Sequence, residues 1–333
     1  MWLIHRLTCV IFLALALAAV PAPLAASPPE PVFVEDFAVE PAAPARWLDR
    51  WIISPLLAPE LRPLRVGIVT DPIGKTVARV RIEEGDALEG ASAAVRAAKG
   101  YVCDDTGSRA NEMTARPGGV APSERAEMQV KTDGASGEGE LIKFGEWVWY
   151  RFAFKIDADW PRDVPAGGRT PCRTVIHQIK QDSFIDGASC SASPFFKIET
   201  RPLGERVQFF AQVATGMACA NPPAVRRTRF CIVDAALRER WATVHVRLFP
   251  AQDASGRADV WLDGVHCGSY RGPMGDAVDG ARRNDAPFIN AQPRFGIYRD
   301  WRAETQTIYF DRIMFWNSNP AGHAEWRLDA PPE

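Results

Sequence analysis

The sequence predicts an all-β fold, a β-jelly roll of two antiparallel sheets forming a concave cleft, on three observations. The 333 residues include 27 Pro, 25 Gly and 11 Trp, which favours strands and turns over helix bundles. Period-two alternation of apolar and polar side chains recurs at short spacing along most of the chain. Only Ala87 to Lys99 and Ala235 to Arg240 read as helical. Apolar residues at 47% and charged residues at 24% fit a globular protein rather than a disordered one. The formal charge of -2 excludes the global positive field of a nucleic-acid binder, so any polyanion must be held by a local patch.

Residues 1–26 read as an export signal and stand outside the fold: His5 and Arg6, an apolar run from Val10 to Val20, then small residues and Pro. That run is shorter than the ~18 residues a spanning helix needs. The expected protein is therefore secreted or periplasmic, with no membrane span once the signal is cut. From Trp147 to Ile156, Val148, Tyr150, Phe152, Phe154 and Ile156 share one face, while Trp147, Trp149, Arg151 and Lys155 share the other. That is a strand with one buried face. Similar runs cover Lys75 to Ile82, Glu127 to Lys131, Thr174 to Gln181, Phe195 to Thr200, Val207 to Val213, Thr243 to Leu248, Ala258 to Leu262, Arg294 to Tyr298 and Thr307 to Phe315. Asp263-Gly264 is a two-residue hairpin signal. No linker or repeat interrupts residues 27–333, so a single domain is expected, with irregular insertions at 41–62 and 87–121 lying over the sandwich.

Export places the cysteines in an oxidising compartment. Cys9 leaves with the signal, and Cys103, Cys172, Cys190, Cys219, Cys231 and Cys267 remain. Local spacing favours Cys219–Cys231 and Cys172–Cys190, and elimination leaves Cys103–Cys267. Scattered histidines and the lack of any C-x-x-C pair argue against zinc.

Three segments carry the expected chemistry. Ser123 to Met128 (SERAEM) holds an R-x-E pair, Arg125 and Glu127, on one strand face. Val175 to Gln181 (VIHQIKQ) puts Gln178 and Lys180 on a shared face, and Arg294 to Tyr298 (RFGIY) does the same for Arg294 and Tyr298. Together with VFVEDF at Val32, RIEEGD at Arg81, GEWVWYRFAFKIDADWP at Gly145, WATVHVRLFPAQDASGRADVWLDG at Trp241 and YFD at Tyr309, these segments resemble, in order, the jelly-roll polysaccharide lyases. That group holds glucuronan lyases, heparin lyase of the first type and many alginate lyases. The resemblance spans Val32 to Trp316.

The resemblance implies β-elimination on a uronic-acid polymer, with glucuronan favoured over alginate. Such a site needs a neutraliser for the uronate carboxylate, a base for the C5 proton and an acid for the O4 leaving group. By the resemblance, Arg125 and Gln178 polarise the carboxylate, Tyr298 protonates the leaving oxygen and in some members also takes the C5 proton, Arg294 holds a substrate carboxylate, and Glu127 orients Arg125. The chain departs from the family where Q-x-H is usual: Gln178-Ile179-Lys180 stands there. Either Lys180 is the base or neutraliser, or Tyr298 makes both proton transfers and Lys180 only binds. His177 falls on the opposite face by alternation, unless a bulge turns it into the cleft. His245 and Trp149 are further candidates for contacting sugar.

No cofactor is required by this chemistry. The family's frequent structural calcium would find oxygen donors in Glu35, Asp36 and Asp311. The expected partner is an anionic polysaccharide, with no nucleic acid, and the protein is expected to be a monomer. Two alternatives stay open: a carbohydrate-binding sandwich without catalysis, and a glycoside hydrolase. The hydrolase needs two facing carboxylates, whereas Glu83, Glu84 and Asp86 run into a turn at Gly85.

Overall fold

The computed structural model describes residues 27–38, 46–54, 57, 59–83, 86, 123–131, 141–162, 173–185, 188–217, 224–276, 290–300 and 304–329. The strands in chain order are β1 (Phe33–Glu35), β2 (Trp51–Ile53), β3 (Val66–Thr70), β4 (Thr76–Ile82), β5 (Ser123–Val130), β6 (Val148–Ile156), β7 (Thr174–Ile185) and β8 (Ala188–Leu203). They continue as β9 (Arg206–Met217), β10 (Ala224–Ala235), β11 (Trp241–Phe249), β12 (Arg257–Leu262), β13 (Val265–Arg271), β14 (Gly275–Asp276), β15 (Asn290–Asp300) and β16 (Gln306–Trp316). A 3-10 turn at Arg46–Asp49 and a one-turn helix at Arg62–Arg65 are the described helical pieces.

Two sheets form. The front sheet runs β10-β9-β8-β7-β15-β5-β2, with β14 added in parallel to β9. The back sheet runs β13-β12-β11-β6-β16-β4-β3, with β1 paired to β16. Neighbours such as β7 and β15, far apart in sequence, lie side by side, as in the expected jelly roll.

Alternation explains which face each strand buries. On β6, Tyr150, Phe152, Phe154 and Ile156 have no exposed surface and face Phe209, Phe295 and Phe310. Front-sheet residues Ala126, Met128, Ile176, Ile179, Phe196, Ile198, Phe295 and Ile297 belong to the same cluster. Each such large apolar side chain contributes about 1.5–3 kcal/mol when fully buried. One buried charge pair is part of this interior: Arg299 on β15 donates through Nε to Glu124 on β5 at 2.6 Å, both without exposure, and through Nη1 to Gln306 at 3.0 Å. The hairpin at Asp263-Gly264 forms as its sequence signals, with φ of 52° and 82° at the two turn residues.

Several sequence expectations are corrected. Ala235 to Arg240 is not helical: β10 runs through Ala235, and Arg238 makes a β-bridge to Ile156 while its guanidinium donates to the carbonyls of Trp160, Pro161 and Gly204. Backbone acceptors waiting at that position outweigh the helix propensity of the alanines. The 41–62 segment is not only an overlay, because β2 pairs with β5 as an edge strand of the front sheet. Cys231 is bonded to Cys267, joining β10 to β13, which overturns Cys219–Cys231 and Cys103–Cys267. Loop spacing misled there because strands from different sheets meet at the sandwich edge. The side chains of Cys172 and Cys190, the signal segment, and the 87–121 stretch with its predicted helix lie outside the described residues.

Candidate active site

The site is built on the outer face of the front sheet, where β5, β15 and β7 lie side by side. Core residues Ala126 and Met128 turn Arg125 and Glu127 outward; Phe295 and Ile297 do the same for Arg294 and Tyr298. Register brings these rows together: Tyr298 lies opposite Arg125 on one side and Val175 on the other, and Arg294 lies opposite Gln178. Gly296 lets the strands approach. Its φ is 148°, and a Cβ there would meet the Ala126 carbonyl oxygen at 2.3 Å and Glu127 Cα at 2.6 Å. Beside it the β15–β7 register shifts, so the chain bends as it passes the site.

The side chains form one continuous series of contacts. Gln178 Nε2 donates to Glu127 Oε1 at 2.6 Å, and Glu127 Oε2 lies 3.4 Å from Arg125 Nε. The Arg125 guanidinium lies 4.1 Å from the centre of the Tyr298 ring, and Arg173 lies 5.0 Å from it on its own account, with Nη2 3.4 Å from the phenolic oxygen. Gln178 and Glu127 are each 1% exposed, and Gln178 Oε1 has no partner among the described residues. A buried amide oxygen in that condition is an acceptor awaiting a ligand hydroxyl or water.

Five of the sequence-predicted residues, Arg125, Glu127, Gln178, Arg294 and Tyr298, thus share one face. Lys180 shares it but lies farther along: it sits opposite Gln292, five residues on β7 beyond Val175, the residue opposite Tyr298, or about 16 Å along the strand at ~3.3 Å per residue. His177 does not reach the site. A register irregularity does fall between Val175 and His177, yet both Ile176 and His177 are buried inward. Its Nδ1 donates to the Arg294 carbonyl at 2.9 Å, which leaves Nε2 to accept from the Tyr150 hydroxyl at 2.9 Å. The ring stacks on Phe295 at 4.5 Å. Burial lowers its pKa to about 3, against a smaller raising effect of the Arg294 carbonyl, so the ring stays neutral.

His245 and Trp149 belong to the other side of the molecule. Both lie on the back sheet, under the C-terminal segment. His245 Nε2 bonds the Glu325 carbonyl at 3.0 Å and meets Trp326 edge-on, while Trp149 packs against the cluster of Met314, Trp316 and Trp326. Neither is a cleft residue, because alternation specifies which side of its own strand a residue takes but not which sheet the strand joins. The suggested calcium donors are engaged with the protein: Glu35 accepts from the Phe37 amide and Trp51 Nε1, Asp36 from the Ala38 amide, and Asp311 pairs with Lys75. Among the described residues no three acidic, His or Cys side chains group as a metal site.

Sequence reasoning missed a second layer of charge. On β8, Lys197, Glu199 and Arg201 alternate with buried Phe196 and Ile198, so all three face the site. Glu199, 1% exposed, pairs with Lys197 at 2.5 Å. Burial pushes its carboxyl up, but Lys197, Arg173 and Arg201 outweigh that and hold it at about 2. The alternation in FFKIETR was the available signal. Arg173 precedes its strand and carries none.

A family model described as polysaccharide lyase matches residues 78–314. No curated protein sequence matches the chain. Among solved structures, the fold is similar to that of an endo-β-1,4-glucuronan lyase from the fungus Trichoderma reesei, with a TM-score of 0.54 at 14% identity over 87% of this chain and 96% of that one. A marine PL-14 alginate lyase from Aplysia kurodai aligns with a TM-score of 0.43 at 8% identity, over 87% of this chain and 100% of that one.

Proposed function

The chain belongs to the polysaccharide lyase family, and from that premise we propose that it is a secreted enzyme cleaving a uronate polymer by β-elimination, with Tyr298 as both base and acid. The observation that carries this reading is the pair of guanidinium groups, Arg125 and Arg173, on one phenol. Two cations beside a phenol favour its anionic form, which is the form able to accept a proton. The other base candidates are poorly placed: His177 is sealed in the core and Lys180 is far along the strand.

In this mechanism the Tyr298 phenolate takes the C5 proton. The electron pair left at C5 delocalises into the uronate carboxylate, where Arg125 offsets the added charge. The pair then forms the C4–C5 double bond as the C4–O4 bond breaks, and the phenol returns its proton to O4. Gln178 Oε1 accepts from a sugar hydroxyl, and Arg294 binds a neighbouring carboxylate. One group serving both atoms requires the C5 hydrogen and O4 on the same ring face. That holds for D-glucuronate and D-mannuronate and fails for their C5 epimers, which supports glucuronan first and mannuronate-rich alginate second.

The export reading rests on residues 1–26, outside the described region. Among the described residues no helix is long and apolar enough to cross a membrane. The test is incubation of the protein lacking residues 1–26 with glucuronan, polymannuronate and polyguluronate, following the absorbance of unsaturated uronate. Product from the first two and not the third supports the reading. Unsaturated product from polyguluronate alone would refute the single-tyrosine mechanism, and binding without product would leave a carbohydrate-binding protein.

A further inference from the structure

A row of side chains crosses the front sheet perpendicular to its strands. Successive register partners from β10 to β5 are Arg229, Gln212, Lys197, Gln178, Arg294 and Gln129. Every member points to the outer face, since the residues beside it, among them Phe230, Ala211, Val213, Phe196, Ile198, Ile179, Phe295 and Met128, lie in the core. Cations and amides alternate strictly along it. With strands ~4.8 Å apart, the cations recur about every 10 Å.

The end of this row beyond the catalytic strands shows a construction of its own. Gln212 is 3% exposed and its Nε2 has no partner among the described residues, so an amide donor is buried on the outer face without a described acceptor. Its register partner Arg229 lies over the Phe210 ring with its guanidinium carbon 4.9 Å from the ring centre, and Arg201 lies 5.0 Å from the same centre. Arg201 is shared with the Glu199 carboxylate, so the exposed Arg229 beside the buried amide donor of Gln212 is the part of this arrangement suited to an anion.

We infer that Arg229 and Gln212 form a distal subsite for a second uronate carboxylate, in step with the one that Arg294 holds. The inference rests on the uronate reading proposed above. In a β-1,4-linked chain alternate residues are turned over, so the carboxylates presented to one face recur every second sugar. Arg294 and Arg229, four strands apart, match two such repeats, Lys197 between them being paired with Glu199, whereas a chain with irregular linkage would put successive carboxylates out of step. The Arg229 strand is four strands from β15, about 19 Å at the same spacing, so only oligomers extending well past the scissile bond reach it.

Calorimetric titration of the full chain with size-fractionated oligoglucuronates tests this, with Tyr298→Phe as the non-cleaving background. Kd should fall with oligomer length in that background, and adding Arg229→Met or Gln212→Leu should abolish the gain. The loss is roughly tenfold on long oligomers, the scale of one charge-assisted hydrogen bond, and absent on the shortest ones that bind. Arg229 is exposed, so its replacement leaves the core intact. Equal weakening at every length, or no weakening at any, overturns the subsite, as does failure of oligoglucuronate to bind. Failure of the parent enzyme to yield unsaturated product sinks the elimination mechanism instead, and the titration still decides the subsite.

Discussion

Arg173 donates through Nη2 to the Tyr298 hydroxyl at 3.4 Å, although the two residues are 125 positions apart and Arg173 precedes the strand beside it. Glu199 holds that arginine electrostatically from β8 and is itself kept ionised by the cations around it. In Arg173→Met, kcat should fall by up to about a hundredfold, the lower end of the scale of one electrostatic donor at a reacting oxygen, as suits a contact of 3.4 Å. The loss should fall on kcat with KM nearly unchanged, because Arg173 touches the phenol rather than a bound carboxylate. Steady-state kinetics on glucuronan beside a thermal melt distinguish this from a structural defect, which would lower the melting temperature as well.

Lys180→Ala is expected to weaken polymer binding while keeping kcat within tenfold, because the lysine lies far along β7 from the phenol. Steady-state kinetics read the split. Loss of kcat with KM unchanged would make Lys180 the base and displace Tyr298 from that role.

His177 has a folded pKa of about 3 against an ordinary value of 6.5, so the unfolded chain takes up the proton first as pH falls. Its contribution to stability is complete above pH 6.5 and is lost progressively as pH drops toward 3. His245, lowered to about 4 chiefly by burial, acts in the same direction, and Glu199, held at about 2, adds a loss below its ordinary 4.5. Replacing both partners of the core hydrogen bond, His177→Phe with Tyr150→Phe, should flatten the stability slope in that window by roughly 1 kcal/mol per pH unit. Denaturant titrations across the range measure it, and kcat retained within tenfold would confirm that the histidine is no catalyst.

The Cys231–Cys267 bridge closes a separation of 36 residues. A chain-entropy estimate gives it about 4 kcal/mol of stability. Changing both cysteines to Ser should lower the unfolding free energy by about 2–4 kcal/mol. A non-reducing peptide map should recover the two cysteines in one linked peptide pair.

Gly296→Ala places a methyl 2.3 Å from the Ala126 carbonyl, at a φ that side chains avoid. The expected cost is about 2–3 kcal/mol, with a drop in activity because the displaced β5 carries Arg125. A variant as stable and active as the parent would show that β5 and β15 are less closely apposed than described.

The sequence by itself determined most of the central strands and their faces, because the two-residue period of a strand is a local property; it did not mark β2, β10 or β13. It placed Arg125, Glu127, Gln178, Arg294 and Tyr298 on outward faces, put His177 opposite Gln178, and signalled the Asp263-Gly264 turn. It also carried motifs enough for the family. Only the tertiary structure decided which strands became neighbours, and that assignment made the site. His245 and Trp149 alternate as cleftward residues would, yet their strands joined the back sheet. Arg173, Lys197 and Glu199 entered the site because β8 and the start of β7 lie against it. Cys231 found Cys267 across the sandwich edge rather than a nearer partner. Pairing between distant strands is set by the sum of packing over the whole sheet, so no local pattern records which cations surround Tyr298.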